Sequence, residues 1–477
     1  MKSFSEKIIA IVFILVSFAG RDFAQQGNVV QQVDTVMNQF VKLKMFSGVV
    51  LIAVDNKPLY QKAFGFENPE KKIPNKTNTK FSIGTATKFF TAILISQLEE
   101  EGKIKFTDTV DKYIPGFSSE AGSKITIMNL LDERSGLGNY ADDPGFRKKE
   151  NEIKSVDGFL PFIKKEKLKF IPGTKMSLSS SGYVVLAAVI EKIYGKSFEE
   201  VLKEKILQPL KMDNTGFNIN TSDSNGFANG YKVLLNGELK DSLNENSKGA
   251  GNIGIYTTAA DMLKLDYSLA NDTLILSNGS KLELFTKNFS GTNKETWNDY
   301  SSKETFGIEG SLPGFETVWY RFFREKYSII VLSNINQPSA LDATYFVKMI
   351  LFGRPFSLPR VSPSRFVYNE IEKNGIKYFL ANYGKLFHDN RYEISDYKLF
   401  DEVGQELFSM NKKDWAIEIL KLNASLFNYV PTVFNSLGDA YRQLNNRSEA
   451  IANYKKALRL DPANDYAVKM LAKLGAL

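Results

Sequence analysis

Apolar residues recur along this chain in two rhythms, and the rhythm changes near residue 353. In the first region, short apolar runs predict strands at Ser47–Val54 and Leu59–Phe66, with Asp55-Asn56-Lys57-Pro58 between them as a hairpin turn. A second pair, Phe315–Phe322 and Tyr327–Ser333, is joined around Arg324-Glu325-Lys326. Helical spacing between the pairs predicts helices that include Thr85–Glu101 and Gly182–Tyr194. Strand pairs at both ends of a region that encloses helices predict an α+β domain over residues 28–352, built on one antiparallel sheet flanked by helices, with a helical subdomain.

Residues 353–365 carry Pro355, Pro359 and Pro363 and read as a linker. Beyond them, residues 366–477 turn helical and repeat with a period of 34. Val403-Gly404 returns as Leu437-Gly438, Ala416 as Ala450, Lys421 as Lys455 and Leu426 as Leu460. Leu437-Gly438-x-x-Tyr441 followed by Ala450, Tyr454, Ala457 and Pro462 resembles the tetratricopeptide repeat. Two copies are too few to bury their own faces, since about three are needed. The helical stretch Asn369–Leu386 is therefore expected to add a layer, or the array to dock on the first domain. The resemblance implies an all-α region whose partner is a protein or peptide, or else a helical cap.

The chain opens with Lys2 and Lys7, a largely apolar stretch from Ile8 to Ala19, and small residues with cleavage points after Ala19 or Ala24. This is a secretory signal over residues 1–24, and it predicts an exported protein, periplasmic or extracellular. The apolar stretch is too short to span a bilayer, so no stable membrane anchor is expected.

Composition then narrows the chemistry. There is no cysteine and one histidine, His388, among 477 residues. Thiolate nucleophiles and disulfides are excluded, a histidine-rich metal site cannot be built, and any Ser-His-Asp site would have to use His388. No metal and no cofactor is expected. The formal charge of +7 comes from 61 basic and 54 acidic residues that are interspersed, which argues against nucleic acid and leaves room for a mild attraction to anionic surfaces. Acyl or group transfer here would run on hydroxyls, lysines, tyrosines and carboxylates.

One segment fits that chemistry. Phe81-Ser82-Ile83-Gly84-Thr85-Ala86-Thr87-Lys88-Phe89-Phe90-Thr91-Ala92 resembles the nucleophile segment of serine β-lactamases of the class C type and of the related D-alanyl-D-alanine carboxypeptidases and esterases. The flanking chain agrees in order over roughly residues 35–350, through Ser135-Gly136-Leu137, Pro172-Gly173-Thr174, Pro209–Thr215 and Pro313-Gly314-Phe315. The resemblance implies a hydroxyl nucleophile at the start of a helix, where amides and the helix dipole favour developing negative charge, and a lysine one turn later to ease its deprotonation. It further implies a Tyr-x-Asn segment that relays the proton and a Lys-Thr-Gly or His-x-Gly segment on a late strand.

This chain departs from each of those segments. The nucleophile and base positions are Thr85 and Lys88, and threonine's methyl restricts χ1; Thr85 also suits a plain helix cap. Leu178 replaces the tyrosine, and Ser180 the asparagine. Ile308 stands where the lysine or histidine belongs, Gly310 is kept, and Glu309 should point to the opposite face of the strand. Losing a proton relay is worth about 10²–10⁴-fold in rate. Asp132-Glu133-Arg134, before Ser135-Gly136, reads as structural and receives no role. Leu178 and Ile308 are expected to make the cleft apolar around Lys88.

Three readings follow. The first is a degenerate, catalytically inactive or strongly impaired site that binds a small acyl or peptide ligand through Ser180, Gly310 and Ser311. The second is a hydrolase of esters, β-lactams or D-amino-acid peptides with Thr85 as nucleophile and Lys88 as base. The third is a scaffold whose function lies in the repeats.

Overall fold

The computed structural model describes residues 27–117, 121–153, 155–217, 226–242, 249–286, 305–335 and 339–477. The expected export signal over residues 1–24 lies outside them. Contacts divide the chain into two compact units. One holds the chain up to Lys232 together with Asp241–Pro359, and the other holds Val233–Lys240 with Arg360–Leu477.

The first unit is built on five antiparallel strands: β1 (Gly48–Val54), β2 (Lys57–Phe64), β3 (Thr305–Leu312), β4 (Phe315–Phe322) and β5 (Tyr327–Ser333), in the order β3-β4-β5-β1-β2. The two predicted strand pairs thus meet at the β1–β5 seam, where Leu51 faces Ile330 and Gly48 faces Ser333. The hairpin turn is tighter than expected. Only Asp55 and Asn56 lie between β1 and β2, both at positive φ (49° and 63°), which matches the twist of a two-residue hairpin.

Strand alternation explains why the sheet is covered on both sides. Val49, Leu51, Trp319, Ile330 and Leu332 enter one core. Val50, Ile52, Val318, Ile329 and Val331 enter the other, beneath helix α1 (residues 27–42) and a helix at Ala340–Leu351. The first core also takes in α2 (Thr87–Glu100), α3 (Ile127–Leu131) and α4 (Ser180–Tyr194). Helix α2 is buried on every side from Thr87 to Leu98, as befits a helix apolar all round.

In the second unit, helices Lys398–Ser409 with Lys413–Leu426, and Pro431–Gln443 with Arg447–Leu460, form the repeated pairs. A Cβ on Gly404 would meet the Leu420 side chain at 2.6 Å, and one on Gly438 would meet Tyr454 at 2.7 Å, so the repeating glycine lets paired helices touch. The expected helical stretch over Asn369–Leu386 falls on two helices, Pro363–Asn374 and Ile376–Asp389, broken at Gly375 (φ 85°). Phe366, Val367, Phe379 and Phe387 from this pair join Phe400, Val403 and Leu407 in one core, supplying the extra layer. Two domain boundaries move. The helical region starts at Pro363, inside the expected linker, because proline suits the first turn of a helix. Val233–Lys240, assigned to the first domain from sequence, belongs to the second unit, where Leu235 is buried and its N–H donates to Glu406 Oε1 at 2.8 Å.

Candidate active site

Thr85 sits in a short 3-10 turn, Gly84–Ala86, that leads into α2. The turn lies directly on β3. A Cβ on Gly310 would come within 2.3 Å of the Ile83 carbonyl oxygen and 2.6 Å of the Ala86 nitrogen. Gly84, at φ 53°, approaches the Ser311 carbonyl equally closely. This backbone-to-backbone contact presents the Ser311 N–H to Thr85 Oγ1, which accepts it at 3.2 Å. Neither the 3-10 turn nor α2 carries a side-chain cap, so the capping role considered for Thr85 is corrected: its hydroxyl is taken up by the strand. Thr85 itself is half-buried.

One turn along α2, Lys88 is buried, and its ammonium meets three acceptors. Glu133 Oε1 lies at 2.5 Å, the Ser179 carbonyl oxygen at 3.5 Å, and the centroid of the Tyr183 ring at 5.0 Å. One short hydrogen bond, one long one and an aromatic face thus surround the ammonium. Among the described residues no hydrogen bond joins Lys88 to Thr85.

The role of Glu133 corrects the sequence reading, which gave its segment none. Helix α3 starts at a capping box between Thr126 and Asn129 and ends in a Schellman motif. The Arg134 N–H donates to the Asn129 carbonyl at 2.8 Å and the Glu133 N–H to the Leu130 carbonyl at 3.4 Å. Glu133 therefore occupies the left-handed position (φ 59°) that glycine normally takes, at a cost of about 1–2 kcal/mol for a side chain. That turn aims its carboxylate inward, where Oε2 also accepts the Ser179 N–H at 2.8 Å. Its side chain is 1% exposed. Burial pushes the Glu133 carboxyl above the ordinary glutamate range, against the pull of Lys88 and the Ser179 amide. The signal in the sequence was a helix end with no glycine at its stop.

The segment after Gly173 differs from expectation in two ways. Lys88 reaches the carbonyl of Ser179, and the Ser180 hydroxyl makes no bond to it among the described residues; the Ser180 N–H donates instead to Asn139 Oδ1 at 2.7 Å. Ser179 caps α4, its Oγ accepting from Gly182 N and donating to the Gly138 carbonyl. Leu178 does not make the cleft apolar around Lys88, since it is 65% exposed. The neighbouring polar groups turn inward to satisfy hydrogen bonds, and alternation turns Leu178 out. Ile308 likewise lines no cleft: it is 4% exposed within the core that holds Phe306 and Trp319. Glu309 points to the other face, as its strand position requires, and accepts a short hydrogen bond from Tyr320 Oη.

Gly310 and Ser311 thus stand against Thr85, while Ser180, Leu178 and Ile308 stay out of the Lys88 cluster. His388 is exposed in the second unit beside Asp389. Among the described residues no group of three or more histidine, aspartate or glutamate side chains could hold a metal ion.

A half-buried hydroxyl at the head of a buried helix, a lysine one turn later and a strand amide facing the hydroxyl define a serine-hydrolase-type scaffold. The Beta-lactamase family matches residues 33–351, and the chain belongs to that family; a TPR repeat matches residues 438–473. The teichoic acid D-alanine hydrolase of Staphylococcus aureus (strain MRSA252) is 32% identical over 304 residues, covering 63% of this chain and 73% of that protein. The crystal structure of FmtA from Staphylococcus aureus superposes with a TM-score of 0.57 at 26% identity, over 70% of this chain and 89% of that one. A penicillin-binding protein from Bacillus halodurans shares the fold, with a TM-score of 0.57 at 23% identity over 66% of this chain and 98% of that one.

Proposed function

We propose that the first unit is a non-hydrolytic or strongly impaired member of its family that binds, rather than turns over, a small acyl ligand of the D-alanyl ester or D-amino-acid peptide class. The observation that carries this reading is the occupied ammonium of Lys88. With Glu133, Ser179 and Tyr183 around it, the amine is engaged away from the nucleophile and makes no bond to Thr85 among the described residues. The leucine at the relay position supplies no alternative base. The strand side is intact, and the Ser311 N–H can still hold a carbonyl oxygen in place of the Thr85 hydroxyl. The ligand class rests on the relative whose name gives D-alanine hydrolysis. Export rests on the signal-like start of the chain, and the described residues contain no helix long and apolar enough to cross a membrane. The repeats supply a surface for a protein partner.

A second reading is favoured by Glu133 itself. In this reading Glu133 Oε1, 2.5 Å from Lys88 Nζ, receives the lysine proton when substrate enters, and the Lys88 amine is then the base. That amine would accept the Thr85 proton as Oγ1 attacks an ester carbonyl, with the oxyanion at Ser311 N–H, and would return the proton to the leaving alcohol. Titration calorimetry and product release with D-alanine methyl ester and penicillin G separate the two. Binding without product above the buffer rate is expected; product formation abolished by both Thr85→Ala and Lys88→Ala establishes the second reading.

A further inference from the structure

The wall that delivers Glu133 continues outward into a lip of unusual chemistry. Residues 169–177 run along the loop after α3, joined to it by Lys169 N–H to the Gly136 carbonyl (2.8 Å), Gly173 N–H to the Arg134 carbonyl (2.8 Å) and Ser177 N–H to the Glu133 carbonyl (2.9 Å). At its tip, Ile171-Pro172-Gly173-Thr174 forms a turn closed by Thr174 N–H on the Ile171 carbonyl, with Gly173 at φ 85°. Three large apolar side chains stand in solvent within eight residues here: Ile171 is 71% exposed, Leu178 65% and Met176 46%.

The charge around them is one-sided. Between Lys164 and Leu178 there are five lysines and one acid, Glu166. Glu166 turns inward and accepts from Gly138 N–H and Ser181 Oγ, with Lys169 the nearby cation. Lys164 is bonded to the Pro115 carbonyl and Lys165 to Asp143. Exposure alternates along the run, with Lys165, Lys167, Lys169 and Ile171 outward and Glu166, Leu168 and Phe170 half-buried. The Arg134 guanidinium lies 3.5 Å from the Gly173 carbonyl at the same tip, where its charge is matched by Asp132 (Nε to Oδ2 3.7 Å).

We infer that this lip is a peripheral contact for an anionic lipid surface. Ile171, Met176 and Leu178 enter the headgroup boundary, and Lys167, Lys169 and Lys175 meet lipid phosphates. Exposed apolar side chains and cations on one rim are complementary to that surface, whereas a neutral protein partner would leave the lysines unmatched. The contact is reversible, since three side chains do not make an anchor. It does not depend on whether Thr85 is reactive.

Flotation of the full chain on vesicles tests it. The parent is expected to bind vesicles of mixed phosphatidylcholine and phosphatidylglycerol better than phosphatidylcholine alone, and to be released by added salt. The combined change Ile171→Ser, Met176→Ser and Leu178→Ser should lower binding at least about tenfold. Replacing Lys167, Lys169 and Lys175 by glutamine should lower it by about fivefold per residue. All chains carry the same residues before 27, so any binding by that segment is common to them, and equal melting temperatures show that the exposed changes leave the fold intact. Undiminished binding by the triple serine chain overturns the inference. So does an absence of anionic preference in the parent. If instead the parent ignores lipid and the triple change only weakens penicillin G binding or dissolves a dimer, the lip belongs to the ligand or to a second copy, and the inference falls.

Discussion

The two walls around Thr85 and Lys88 differ in what they use to make the site. The strand wall works through backbone: Gly84 and Gly310 let the turn and β3 touch, and the Ser311 amide faces the Thr85 hydroxyl. The loop wall works through side chains, with Glu133 on Lys88 and Ser179 closing the cluster. Substitution away from those two glycines leaves the first kind of machinery standing, because a backbone donor does not depend on the side chain it carries. It rewrites the second kind outright. In the proposed reading the cleft keeps its geometry for holding a carbonyl group while an ion pair takes the lysine that would move the proton.

The comparison predicts where the molecule is most sensitive. Glu133→Ala should be the costliest single change, by about 3–5 kcal/mol in denaturant unfolding, because it strands a buried ammonium. Adding Lys88→Met to it should recover most of that loss; a double variant no better than the single one would mean the two groups are not coupled. On the strand wall, Gly310→Ala should cost about 1–3 kcal/mol through its clash with Ile83 and Ala86. It should also weaken ligand binding measured by calorimetry, and unchanged binding would remove the strand amide from the site.

A finer comparison isolates the backbone cost at Glu133. Glu133→Gly should be about 1–2 kcal/mol less destabilising than Glu133→Ala, since glycine relaxes the left-handed position that alanine does not. Smaller still is a pH effect confined to the loop wall. The Glu133 carboxyl is raised by burial in the folded state, so the fold binds its proton more tightly than the unfolded chain does. That contribution is complete below the ordinary value of 4.5 and is lost as pH rises through the raised value. The melting temperature of the parent should accordingly fall relative to Glu133→Gln as pH climbs from 4.5, while the difference between parent and Ser311→Ala stays flat.

How much of this was legible beforehand divides along the same line. The strand wall could be read from Thr85-x-x-Lys88 and Gly310-Ser311, because backbone contacts follow from glycine placement and strand pairing. The α+β sheet was readable from four of its five strands; in the three central ones, β4, β5 and β1, both faces are buried and the apolar runs are nearly continuous. The loop wall was not readable. Leu178 faces solvent and Ser179 faces the lysine, against the usual expectation for their polarity, because the serine's backbone and hydroxyl have buried partners and the leucine has none. Glu133 escaped notice because its inward aim comes from a single left-handed dihedral at a helix end, which no periodicity reveals.

The central claim is that Glu133 holds Lys88 away from proton transfer, whatever hydroxyl stands at the nucleophile position. Intact-mass analysis of the parent and of Thr85→Ser, each incubated with excess penicillin G, tests this most directly. Both chains should remain at their unmodified mass, because exchanging threonine for serine removes a methyl and leaves the lysine where it is. An acyl adduct located at residue 85 of either chain, and absent from Lys88→Ala made in the same chain, would contradict the account.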